Sequence, residues 1–195
     1  MIPKMKHYYA LIIVSLLFQC STDLRQVPPP TKNGNLTRNK VNLPIVIGKF
    51  EILSADRGVY TDAWRMAWKG HLQSSGIFTN VYNELDPKEV KDFYTIDVEM
   101  KTNYSDRYNW WYTWPALYPF TAIWPIQYRL GEYSVEFHYK LYLNKELQKE
   151  ETITKKGNAE EFLYGFFKVR NFQRMIEETN LDAVNVCLKN LESSL

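Results

Sequence analysis

The stretch YSVEFHYKLYL, Tyr133 to Leu143, alternates strictly between two kinds of side chain. Tyr133, Val135, Phe137, Tyr139, Leu141 and Leu143 face one way, while Ser134, Glu136, His138, Lys140 and Tyr142 face the other. Successive Cβ atoms of a β-strand point to opposite sides of the sheet, so this period of two predicts a strand with one dry and one wet face. The polar pair Asn144-Lys145 follows, and then a run from Leu147 to Thr154 that suits a hairpin partner with one exposed face. Upstream, Tyr94, Ile96, Val98 and Met100 alternate with Thr95, Asp97, Glu99 and Lys101 in the same manner.

Moving outward, Leu43-Pro44-Ile45-Val46-Ile47-Gly48-Lys49-Phe50 is a β-branched apolar run that suits a buried strand. Thr61 or Asp62 is placed to cap a helix carrying Trp64, Ala67, Trp68, His71 and Leu72 at helical spacing, with Gly76 where a left-handed C-terminal cap is wanted. The face shared by the two tryptophans reads as core. Ile77 to Tyr82 reads as a further strand, leading into the turn Leu85-Asp86-Pro87. After Gly157, Asn158 is expected to cap a helix with Glu160 and Glu161 in its first turn and Phe162, Phe166, Val169 and Met175 on its apolar side. Thr179 or Asn180 breaks or recaps it, and Leu181, Val184, Leu188 and Leu191 form the stripe of a closing helix. The fold class expected is α+β: a mixed or antiparallel sheet of about four to five strands, one helix after the first strand, and C-terminal helices packed on one face.

Between the two alternating regions lies NWWYTWPALYPFTAIWP, Asn109 to Pro125, within an uncharged run of roughly 21 residues, long enough in principle to span a bilayer. Pro115, Pro119 and Pro125 each remove a donor or force a kink, which argues against a membrane helix and for a loop with short strands. Trp110, Trp111, Tyr112, Trp114, Tyr118, Phe120 and Trp124 are the candidate interaction surface. Their rings are buried on the domain's own sheet, covered by a partner, or dipped into a membrane interface where Trp and Tyr are at home.

The N-terminus reads MIPKMKHYYALIIVSLLFQC, with Lys4 and Lys6 before an apolar run from Ala10 to Phe18. That run is too short to span a bilayer and suits a secretory signal. Without residues 1–19 the balance is 22 bases against 22 acids, which attracts neither nucleic acid nor a strongly anionic substrate. Three regions are expected: a signal at 1–19, Cys20 with a flexible Pro-rich tether at 20–42, and one domain at 43–195 with an aromatic insertion at 104–131.

Leu17-Phe18-Gln19-Cys20 resembles the lipobox of bacterial lipoproteins in a relaxed, spirochete-like form, with Gln19 where a small residue is usual. The resemblance implies lipidation of Cys20 and attachment to the envelope, with the outer membrane as the expected site. The order strand, helix, Ser75-Gly76-Ile77-Phe78, alternating strand over residues 43–102 is similar to the class that includes the TolB amino-terminal domain and the periplasmic domain of the curli-secretion-channel lipoprotein. That resemblance implies an α+β domain acting in envelope transport or assembly, and not as an enzyme.

Catalytic signatures are sparse. Histidine occurs only at positions 7, 71 and 138, without the spacing of a metal site, and Cys187 lies among apolar residues where an inert thiol is expected. There is no Gly-rich phosphate loop and no nucleophile elbow. No catalytic residue, metal or cofactor is therefore expected. The function expected is that of a lipid-anchored binding or assembly component with an envelope protein partner or a second copy of itself. The alternative is a surface-exposed adhesin that takes carbohydrate or a host ligand on the aromatic tract.

Overall fold

In the computed structural model the alternating stretch is the middle of a longer strand, β4, which spans Gln127–Leu143. It pairs antiparallel with β3, Tyr94–Tyr108, on one side and with β5, Glu146–Leu163, on the other. β1, Ile45–Ser54, lies parallel to β3, and the two-residue β2, Val81–Tyr82, lies parallel to β1. The sheet order is β2-β1-β3-β4-β5. The structure describes residues 27–30, 41–54, 61–83, 91–108, 127–163 and 170–195.

A parallel pair such as β1 and β3 needs a crossover. Helix α1, Thr61–Ser75, lies within it, with Asp62 in its first turn and Gly76 at φ +69° just past its end. Trp64 and Trp68 are buried, and each packs on Phe137 of β4 with ring centroids 6.1 Å apart. These rings join the helix to the sheet, as the one-face spacing implied.

Helix α2, Arg170–Glu192, covers β4 and β5 on the same face as α1. Phe172, Ile176, Ala183, Val184, Leu188 and Leu191 are buried on it. The class is thus α+β, with both helices on one side of a five-stranded mixed sheet. Among the described residues, no helix is long and apolar enough to cross a membrane.

Three elements differ from their sequence reading. The helix expected after Gly157 is strand: residues 157–163 continue β5 and pair with 127–133 of β4, so Asn158, Glu160 and Glu161 are ladder residues. Long-range pairing overrides the local cap signal there, because each residue of the hairpin gains a ladder partner and Gly157 lets α2 close onto the strand. A Cβ at Gly157 would run into Thr179 and come within 3.0 Å of the Met175 Cγ. Nor is there a break at Thr179 or Asn180; one helix runs through both. The Thr179 hydroxyl donates to the Met175 carbonyl at 2.7 Å, and Asn180 Oδ1 accepts from the Tyr133 hydroxyl at 2.8 Å. Both polar groups are satisfied without interrupting the helix. Finally, only Val81–Tyr82 of the expected strand 77–82 forms a ladder, while Phe78 makes an isolated bridge to Val41.

Residues 27–30, inside the segment read as a tether, pack on α1. His71 Nε2 donates to the Pro28 carbonyl at 3.1 Å, and the Pro30 ring fills the space beside Gly70. His71 is buried, and desolvation lowers its pKa against the opposing effect of that hydrogen bond. Cys187 is fully buried in α2, where desolvation pushes its thiol pKa up. The inert reading of this thiol holds.

Candidate functional site

Cys20 and the seven aromatic candidates, Trp110, Trp111, Tyr112, Trp114, Tyr118, Phe120 and Trp124, lie outside the described residues. The frame that carries the tract is described. β3 and β4 form one unbroken ladder from Tyr94 opposite Leu143 to Tyr108 opposite Arg129. The chain leaves β3 after Tyr108 and returns to β4 at Gln127, so the tract occupies 109–126 and the flanking parts of the span read as 104–131 are strand. Antiparallel neighbours stand about 5 Å apart, so the two ends of the tract are held side by side.

Directly under that end is a buried arginine. Arg129 is 4% exposed and projects to the helix side of β4, where it forms an ion pair with Asp106 of β3. Its guanidinium carbon lies 5.8 Å from the ring centroid of Phe172, a cation–π contact. Phe172 is fully buried and also meets the ring of Tyr104 edge-on at 6.5 Å. The ring fits because residue 131 is glycine: a Cβ there would come within 2.9 Å of it. Opposite Arg129 on β5 stands Glu161, whose pKa is raised by burial and held back by the arginine. One cation thus sits between two carboxylates, and β3, β4, β5 and α2 all contribute to its surroundings. Such a charge is costly to bury alone and is held by its partners.

The sequence reading passed over this cluster because Arg129 and Gly131 fell inside the span assigned to the insertion. A signal was present. Arg129, Gly131 and Tyr133 continue the dry phase of Val135, Phe137, Tyr139 and Leu141, so Arg129 is a charged residue on the core phase of a strand.

The other face of the sheet bears no helix among the described residues. Its side chains are the wet set of the alternating strands: Asp97, Glu99 and Lys101 of β3, with Glu136, His138 and Lys140 of β4. His138 and Lys140 both reach Oε1 of Glu150 on β5, at 2.8 and 3.0 Å, and these contacts lower the carboxyl pKa. Lys49 pairs with Glu51 at 2.8 Å, and its backbone N–H donates to Asp97 at 2.8 Å beside Gly48. The face is a lattice of alternating charge. A shallow depression of about 490 Å³ crosses it, lined by Asn103, Ser105, Glu132, Ser134, Lys156 and Asn158. Among the described residues no group of three or more His, Cys, Asp or Glu side chains is arranged to hold a metal ion.

A protein-family model matches the chain over residues 11–192. No curated protein matches it. Similar solved structures include a Xanthomonas campestris protein of the DUF330 family, at 10% identity and TM-score 0.49, covering 86% of this chain and 91% of that one. A Helicobacter pylori protein described as a homologue of neuraminyllactose-binding hemagglutinin aligns at 8% identity and TM-score 0.47, over 84% and 91% of the two chains. A minor lipoprotein from Acinetobacter baumannii aligns at 13% identity and TM-score 0.37, over 77% and 92%.

Proposed function

The chain belongs to the family whose model spans residues 11–192, and from that premise we propose that it is a lipid-anchored, non-enzymatic component of a bacterial cell envelope that uses its aromatic tract to engage an envelope partner. Cys20 is the anchor and the outer membrane its site. The family match spans residues 11–192 and so takes in both the Leu17–Cys20 box and nearly all of the folded domain. That span supports reading anchor and domain as one working unit.

The observation that carries the binding role is where the tract is attached. The uncharged segment with four tryptophans joins the adjacent ends of β3 and β4, two strands that a buried ion pair ties together near those ends. Binding segments on rigid scaffolds lose less conformational entropy on engagement than segments on loose ones. Trp and Tyr are the side chains that most often dominate interface energies. The resemblance to the TolB and curli-channel domain class, in the order β1, α1, Ser75-Gly76-Ile77-Phe78, β3, belongs to the same proposal and favours assembly or transport work.

Two measurements test it. Cys20→Ser should abolish labelling by a clickable fatty acid and move the protein from the membrane pellet to the soluble fraction. Persistent pelleting of that variant would transfer the membrane contact to the tract. In crosslinked native envelopes, Trp110→Ala/Trp111→Ala should lose a partner band that the parent protein captures while keeping the parent melting curve. An unchanged band would sink the binding role of these rings.

A further inference from the structure

β5 ends the sheet, and among the described strands nothing pairs with its outer edge. An edge of 18 residues presents a row of unpaired N–H and C=O groups, which natural proteins blunt with prolines, bulges or charge. β5 has no proline, and its one register shift lies near its start, opposite Leu141 and Tyr142. From Lys149 to Leu163 its pairing to β4 is regular.

In the middle of this edge the charges are ordered. They read Glu150-Glu151-Thr152-Ile153-Thr154-Lys155-Lys156, two acids and two bases in mirror positions about Ile153. We propose that β5 pairs antiparallel with β5 of a second copy about a two-fold axis at Ile153, joining the two sheets into one. In that register Glu150 faces Lys156, Glu151 faces Lys155 and Thr152 faces Thr154, and symmetry makes each contact twice. Moving the axis to Thr152 sets Lys149 against Lys155, and a parallel in-register pairing sets acid on acid and base on base. Over residues 149–157 the charge order favours the antiparallel register centred on Ile153, and the like pair that this register would form, Glu146 with Glu160, lies beyond the register shift at the start of β5.

Directly opposed residues in an antiparallel ladder point to the same side of the sheet, so both helix layers lie on one side of the joined sheet. On that side Glu151 is already engaged by the Tyr139 hydroxyl and Lys149, and Lys155 by Asp182. On the open side Glu150 is engaged through one carboxylate oxygen only. His138 and Lys140 both use Oε1 of Glu150. Lys156 makes no ion pair among the described residues.

The test uses the full chain in a mild detergent, with the protein mass per particle measured by sedimentation velocity across a dilution series. The parent should carry two copies per particle. Lys156→Glu sets acid against acid at both ends of the pairing, and Glu150→Lys sets base against base. Each should weaken the dimer by about tenfold or more, through two lost pairs and two like-charge contacts. Mixing the two variants in equal amounts restores complementary charge at both ends and should return two copies per particle. A parent with one copy per particle at every concentration overturns the proposal, as does a variant that stays as dimeric as the parent or a mixture that stays monomeric. Because a misfolded variant would mimic dissociation, amide exchange on the unaltered parent is read as well. Amides of residues 149–157 should exchange more slowly in the dimeric samples than in the dilute ones, and equal exchange overturns the pairing.

Discussion

Replacing Asp106 with Ala isolates the buried cation at the base of the aromatic tract. Arg129 is only 4% exposed, so the loss of its ion-pair partner leaves a guanidinium in surroundings that solvate it poorly. Breaking a fully buried pair costs about 3–5 kcal/mol. The Asp106 side chain is 27% exposed, and Glu161 still stands across the ladder, so the cost here is discounted to about 2 kcal/mol. For a domain of this size that lowers Tm by roughly 4–8 °C. Arg129→Met combined with Asp106→Ala removes the charge together with its partner and keeps an unbranched apolar side chain against Phe172. The double variant should regain most of the loss and lie within about 1 kcal/mol of the parent. Urea unfolding of the four proteins of this cycle, followed by far-ultraviolet circular dichroism, gives the coupling energy directly. A single Asp106→Ala variant as stable as the parent, or a double variant less stable than the single, would refute the reading of Arg129 as a charge held in place by its partners.

Further outcomes follow from the same geometry. Burial lowers the pKa of His71 below its ordinary value of 6.5, so in that window the unfolded chain binds the proton more readily. Stability should therefore be flat above about pH 6.5 and fall as pH drops below it, and His71→Gln should flatten that slope in urea titrations at several pH values. Gly157→Val drives a side chain into Thr179 and Met175 and should cost about 1–3 kcal/mol by the same unfolding assay. The β4–β5 turn holds Asn144 at φ 50° and Lys145 at φ 75°, so Lys145→Gly should stabilise by about 0.5–1 kcal/mol. The Cys187 thiol should react with a maleimide only as the domain unfolds, with the rate rising through the urea transition.

The strands from Tyr94 and Tyr133 were legible because a half-buried strand writes its two environments alternately into the chain, a signal that depends only on backbone geometry. Helix α1 was legible for a similar reason: its cap, its tryptophan spacing and Gly76 are all local. Residues 157–163 were not, since Asn158 followed by two acids is a sound helix start until a partner strand is available, and that partner is more than twenty positions upstream. Asn180 likewise reads as a helix breaker until the Tyr133 hydroxyl, 47 residues away in sequence, engages it.

What the amino-acid order determined alone is therefore the α+β class, the dry and wet faces of the strands, the burial of Trp64, Trp68 and Cys187, and the mirror order of charge from Glu150 to Lys156. Which strand lies at the edge, how far β3, β4 and β5 extend, and the enclosure of Arg129 by Asp106, Glu161 and Phe172 from three other elements follow only from the assembled fold. The division is physical. Periodicity and capping act within a few residues of chain, whereas pairing partners and the neutralisation of a buried charge exist only once distant segments have met.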